Sequence, residues 1–176
     1  MRLITLFILI SNFCFAQNFN LDQIKSYPFP NELTSSLKSP KIAWAFDEQG
    51  LRNIYVAESP EYSPRKLTNY MEDTGQELSS VSISADGNWV VYIRGGDFGS
   101  NWDDELPVNP TFDPFPPKVQ IWSFPFSGGN PILIDEGVNP VISPKSDKIA
   151  YIKSGQLWIS SIDGQGEPEK LFHSRG

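Results

Sequence analysis

The sequence repeats itself, and a repeat constrains the fold of a chain more tightly than any composition does. Ser84-Ala85-Asp86-Gly87-Asn88-Trp89-Val90-Val91-Tyr92-Ile93 aligns without gaps on Ser143-Pro144-Lys145-Ser146-Asp147-Lys148-Ile149-Ala150-Tyr151-Ile152, and a third copy starts at Ser36 and runs through Ala43-Trp44-Ala45. Each copy reads as a tight turn followed by an apolar strand with an aromatic near its end. A second element follows each: Asn53-Ile54-Tyr55-Val56, Gln120-Ile121-Trp122-Ser123 and Gln156-Leu157-Trp158-Ile159. A third closes each unit: Arg65-Lys66-Leu67-Thr68, Pro131-Ile132-Leu133-Ile134 and Glu169-Lys170-Leu171-Phe172. In the two later copies a short strand, Val81-Ser82-Ile83 or Pro140-Val141-Ile142, precedes the turn. Turn clusters such as Ser127-Gly128-Gly129-Asn130 separate the elements.

Four antiparallel strands recurring every ~40–50 residues are the signature of a β-propeller blade. The expected fold is therefore all-β: an incomplete propeller of about three four-stranded blades, at residues 36–70, 78–135 and 139–173. Blades pack face to face, so both faces need bulky side chains. Trp44, Tyr55, Trp89, Tyr92, Trp122, Tyr151 and Trp158 are expected to fill those seams. A closed ring needs about four to eight blades. Three do not close, so the sequence reads as the N-terminal part of a longer protein, with self-association of short arcs as the alternative. Blades one and three are each expected to leave an apolar face without a neighbour, which favours association.

Two segments stand outside the repeat. Residues 17–35 are expected to form a lead-in, with Asn20 capping a short helix at Leu21–Ile24 that packs on blade one. Residues 95–118 are an insertion between the second and third strands of blade two. It holds three consecutive acids, Asp103-Asp104-Glu105, and is rich in proline. Structureless loops of this length in a compact domain usually carry function.

The first sixteen residues read as an export signal: Met1-Arg2, an apolar run from Leu3 to Ile10, then small Cys14 and Ala16 at the positions a signal peptidase inspects. The run is far shorter than the ~20 apolar residues a membrane span needs. The expectation is an exported protein, periplasmic or extracellular, with no membrane span once the signal is removed. The rest of the chain contains no cysteine, which excludes disulfides, thiolate metal sites and a thiol nucleophile within it. A single histidine, His173, excludes a two-histidine zinc site inside the chain. With 14 basic against 21 acidic residues and a net charge of −7, no basic face is available for nucleic acid.

The search for chemistry is negative. No Gly-x-Ser-x-Gly elbow occurs. Gly95-Gly96-Asp97-Phe98-Gly99 lacks the helix and Gly-Lys-Ser of a phosphate loop. Asp103-Asp104-Glu105 does not match the spacing of a calcium loop and suits a solvated tip. No catalytic residue, cofactor or metal ligand is assigned. The remaining candidates for substrate contact are Asp97, Asn101, Trp102, Asp103, Asp104 and Glu105, all in the insertion.

A series of strings carries a resemblance. Tyr27-Pro28-Phe29-Pro30-Asn31-Glu32-Leu33, Ile42-Ala43-Trp44, Gly50-Leu51-Arg52-Asn53-Ile54-Tyr55-Val56-Ala57, Arg65-Lys66-Leu67-Thr68-Asn69-Tyr70, Gly75-Gln76-Glu77-Leu78, Tyr92-Ile93-Arg94-Gly95-Gly96-Asp97, Gly99-Ser100-Asn101-Trp102 and Pro117-Lys118-Val119-Gln120-Ile121-Trp122 follow in that order. Together they resemble the N-terminal propeller of secreted bacterial peptidases of the prolyl oligopeptidase (dipeptidyl aminopeptidase-like) family. The resemblance implies a non-catalytic gate and scaffold that admits short peptides and partners a C-terminal α/β-hydrolase domain bearing a Ser-Asp-His triad. No triad residue carries over to this sequence, and neither Glu72-Asp73 nor Asp104-Glu105 matches the acidic pair that holds a substrate amino terminus in some members. The alternative is a periplasmic propeller without enzymatic activity that binds protein partners, similar to the Tol–Pal component, whose repeat has a comparable Ser-x-Asp-Gly strand pattern.

Export predicts cleavage after Ala16. N-terminal sequencing of the secreted chain should start at Gln17, and an intact Met1 would contradict the signal reading.

Overall fold

The computed structural model describes residues 20–95 and 118–172. They form a short helix and twelve strands in three antiparallel sheets of four, an incomplete β-propeller of three blades. Blade one is β1 (Phe29–Ser35), β2 (Lys41–Glu48), β3 (Leu51–Glu58) and β4 (Arg65–Lys66). Blade two is β5 (Leu78–Ile83), β6 (Trp89–Arg94), β7 (Gln120–Pro125) and β8 (Ile132–Glu136). Blade three is β9 (Val138–Ile142), β10 (Lys148–Lys153), β11 (Gln156–Ser161) and β12 (Glu169–Lys170). Within each blade the strands pair in sequence order.

The repeat frame reappears as one hydrogen bond made three times. The amide of the first serine of each turn donates to the carbonyl five residues on: Ser36 to Lys41 at 2.9 Å, Ser84 to Trp89 at 2.9 Å and Ser143 to Lys148 at 2.8 Å. In blades two and three the serine hydroxyl also ties the turn together. Ser84 Oγ accepts from the amides of Asn88 and Trp89 and donates to Asp86 Oδ1 at 2.6 Å. Ser143 Oγ does the same with Asp147, although the acid has moved two positions along the turn. In blade one Ser36 Oγ turns outward, donating to the Ser84 and Ala85 carbonyls of the next blade.

Strand alternation gives every blade two faces, and the two middle strands decide what each presents. In blade two, Val90, Tyr92, Trp122 and Phe124 face blade one, where they meet Ala43, Ala45, Ile54 and Val56 in one core cluster. On its other face, Val91, Ile93 and Ile121 meet Ile149, Tyr151 and Trp158 of blade three in a second cluster. In the middle of blade two the aromatics Tyr92 and Trp122 therefore look back to blade one, while Val91, Ile93 and Ile121 look forward together with Trp89. Gly87 marks how closely the turns approach: its φ is +76°, and a Cβ there would lie 2.0 Å from Ser39 Oγ.

Two expectations need correction. Residues 17–35 are not all lead-in, because Phe29–Ser35 is the first strand of blade one, paired with β2. It escapes the repeat pattern because it is exposed almost throughout, carries Pro30, and is bulged between Asn31 and Thr34. The helix, Leu21–Ser26, is longer than expected and has a full capping box between Asn20 and Gln23, but it buries no residue and so does not pack on blade one. Trp44 and Tyr55 lie on the apolar face that blade one is expected to leave without a neighbour. They form an aromatic cluster with Phe46 on the open face of blade one, with Trp44 and Tyr55 stacked at 6.0 Å.

Ser84 is fully buried and its hydroxyl satisfies two amides. Ser84→Ala should therefore lower the unfolding free energy by about 1–3 kcal/mol, the cost of orphaned buried donors. Urea titration measures this, and a change within ~0.5 kcal/mol, typical of neutral surface sites, would count against the turn's role.

Candidate functional site

The turns between first and second strands lie at one rim of the arc. The opposite rim carries the β2–β3 and β10–β11 turns, the connections between blades, and the two feet of the residue 95–118 insertion. The feet are close together. Gly95 has φ +111°, and a Cβ on it would lie 2.5 Å from the Lys118 carbonyl, so only glycine fits where the chain leaves the strand. The Gly95 amide donates to Glu77 at 3.0 Å, and the Gly137 amide donates to Val119 at 3.2 Å. Asp97, Asn101, Trp102, Asp103, Asp104 and Glu105 lie outside the described residues, as do the signal segment and His173.

Polar clusters flank the feet on both sides. Between blades one and two, Arg52 at the start of β3 pairs with Asp47 at 3.5 Å, Asp73 at 3.4 Å and Glu77 at 3.2 Å. Gly50 allows this: its φ is +92°, its amide donates to Asp47 at 2.6 Å, and a Cβ would strike Asp73 Oδ2 at 2.2 Å. Alongside, the Arg94 guanidinium lies 4.4 Å over the Tyr70 ring and donates to Thr74 Oγ1 at 3.3 Å. The Tyr70 and Tyr92 hydroxyls share a hydrogen bond of 2.9 Å across the seam. Burial pushes both phenols above their ordinary pKa, so neither is a base near neutrality. The void among these groups is only about 10 Å³, room for one water at most. The cluster is thus a packed platform, with no pocket for a ligand.

Between blades two and three, Asp135 on β8 accepts from Tyr151 Oη and from Lys153 Nζ, each at 2.6 Å. Burial would raise the Asp135 pKa, but these bonds and one from the Glu136 amide outweigh it and hold it below the ordinary carboxylate value. Burial and the bond to Asp135 push Tyr151 up. The insertion foot joins this side through the ion pair of Lys118 with Glu136.

None of these clusters pairs a serine, threonine or cysteine nucleophile with a base. Among the described residues no group of three or more His, Cys, Asp or Glu could hold a metal ion, and no helix is long and apolar enough to cross a membrane. The Arg52 and Arg94 clusters escaped the sequence reading. Arg52, Tyr70, Glu77 and Arg94 all occur in the strings that carry the family resemblance, but only the stacking of blades brings them together.

The structure thus defines a β-propeller arc with a rim-rooted insertion. No protein-family model matches the sequence, and no curated protein matches it. Solved propellers do. A TolB-like protein from Agrobacterium tumefaciens aligns over 83% of this chain and 49% of its own, with a TM-score of 0.53 at 16% identity. The β-propeller domain of the trilobed protease from Pyrococcus furiosus aligns over 82% and 43%, with a TM-score of 0.54 at 13% identity. The acylaminoacyl peptidase of Pyrococcus horikoshii aligns over 81% and 25%, with a TM-score of 0.52 at 17% identity. At such identities the likeness is one of fold, and this chain spans less than half the length of each.

Asp135 gives a pH test. A carboxylate with a lowered folded pKa contributes stability that is full above its unfolded pKa and is lost as pH falls through the folded value. Asp135→Asn should therefore cost about 1.5–3 kcal/mol at neutral pH, as for a hydrogen bond to a charged group. The gap from wild type should narrow below pH ~4. Urea midpoints for both proteins at several pH values measure it, and a gap that does not change with pH would show that charge plays no part.

Proposed function

We propose that this chain is the non-catalytic N-terminal propeller segment of an exported serine peptidase, a gate and scaffold for an α/β-hydrolase domain acting on short peptides. The observation that carries this reading is the rooting of the insertion. A segment of more than twenty residues leaves and returns at one rim, braced between two inter-blade clusters built from Arg52, Arg94 and Asp135. Such bracing gives a loop with three adjacent acids a rigid base from which to meet a substrate at the propeller mouth. The fold shared with the two Pyrococcus peptidase propellers and the ordered family strings support the same reading.

The insertion acids then have a role: they attract the protonated amino terminus of a peptide. In the complete peptidase, replacing Asp103, Asp104 and Glu105 by their amides should lower kcat/KM for peptides with a free amino terminus and spare amino-blocked ones. Equal effects on both, or none, would reduce the acids to a solvated tip.

The second reading, a partner-binding propeller without enzymatic activity, is favoured by the TolB-like fold match, which is as good as those to the peptidases. Both readings require that the chain alone hydrolyses nothing. The purified chain should release no product from dipeptidyl or prolyl chromogenic substrates and take no fluorophosphonate label, because a serine without a positioned base keeps its proton. Stoichiometric labelling of one serine would overturn both.

A further inference from the structure

The inner strand of each blade carries the same irregularity. Its register slips by one residue opposite the aromatic of the second strand. Trp44 thus faces both Glu32 and Leu33, Tyr92 faces Ser80 and Val81, and Tyr151 faces Asn139 and Pro140. The first residue of each pair is left-handed, with φ +57° at Glu32, +52° at Ser80 and +53° at Asn139. None of the three is glycine, and other residues rarely hold this conformation. A bulge kept at one position in three blades is a built feature.

The bulge turns its two residues to opposite sides. Val81 packs back into the core shared with blade one, and Leu33 lies on the corresponding face of blade one. Glu32 reaches forward: the Val81 amide donates to its Oε2 at 3.2 Å, so the carboxylate of one bulge meets the amide of the next. At the second seam both partners differ together. Pro140 stands where Val81 stands and has no amide to offer. Ser80 stands where Glu32 stands, with a side chain two bonds shorter and no charge. The acid is present where an amide awaits it and absent where proline removes the amide.

The strand held in this way also carries a root of the insertion. β5 starts at Leu78, one residue after Glu77, whose carbonyl takes the Gly95 amide at 3.0 Å where the chain leaves β6. The second foot hangs from the next inner strand, through the Gly137 amide just ahead of β9. We infer that Glu32 is a positioning residue for the first foot. Its charge-assisted hydrogen bond locks β5 against β1, and β5 in turn fixes the Glu77 carbonyl that holds Gly95. The second foot, which follows the Ser80–Pro140 pair, is set independently of Glu32. The inference assumes nothing about what the insertion contacts, so it does not depend on the peptidase reading.

Native-state hydrogen exchange, read amide by amide in the full-length protein, tests this. Glu32→Ala should speed exchange at Val81 and Gly95 about tenfold, while the Gly137 amide and the Ser84 amide at the far rim keep their wild-type rates. Glu32→Gln, which keeps a carbonyl acceptor, should retain most of the protection. Val81→Pro removes the donor, on a backbone that Asn139-Pro140 shows can hold proline after a left-handed residue. It should speed Gly95 exchange as much as Glu32→Ala does, and combining the two changes should add nothing further. An unchanged Val81 rate in Glu32→Ala, an equal rise at all four amides, or additive effects in the double variant would overturn the assignment.

Discussion

Everything in this arc depends on the two-residue period of the middle strands. A blade four strands wide cannot bury its own faces, so its apolar residues are useful only against another blade. Alternation sends Tyr92 and Trp122 one way and Val91 and Ile121 the other, and each set completes the core of a neighbour. The seam between blades one and two shows why small residues matter there. Ala43 and Ala45 are almost fully buried because Tyr92 and Phe124 occupy the space opposite them. Enlarging one side of such a seam without reducing the other forces strain into a core already at crystal-like density.

Polar contacts then set the angle at which the blades meet. At one rim Ser36 and Lys41 of blade one reach carbonyls of blade two. At the other, the Tyr70–Tyr92 hydroxyl pair and the Asp135–Tyr151 bond span the two seams. Deep in the second seam, Ser123 Oγ donates to the Ile162 carbonyl at 2.6 Å. These groups are buried or half-buried, so leaving one unpartnered costs more than making the bond gains. The result is a stack whose spacing is held at both ends. The insertion takes its footing on one of those ends.

Much of this was legible in the sequence. The Ser36, Ser84 and Ser143 frame holds to the residue because a tight turn before an apolar strand leaves a local pattern that survives substitution, as the shift of its acid from Asp86 to Asp147 illustrates. The first strand was not legible: a bulged, exposed segment containing Pro30 and Glu32 has no alternation to read. Trp44 and Tyr55 are legible as face-packing aromatics from their place in the repeat, and their open face follows from their being in the first blade. At the candidate site, the insertion was visible from its length and composition. The Arg52 and Arg94 clusters that brace it join residues from separate strands and connections, which only the stacked fold brings within reach.

The mutual dependence of the blades is open to a direct measurement. Ile54 is fully buried in blade one at its seam with blade two, and Ile54→Val removes one methylene from that shared core, at a cost of about 0.5–1.5 kcal/mol. Native-state hydrogen exchange, followed strand by strand in wild type and variant, shows which blade registers the loss. If the blades share their cores, amides of β5, β6 and β7 in blade two will exchange faster in the variant, along with those of β2 and β3. Acceleration confined to blade one, with blade two unchanged, would mean that each blade stands alone and would contradict the shared seam.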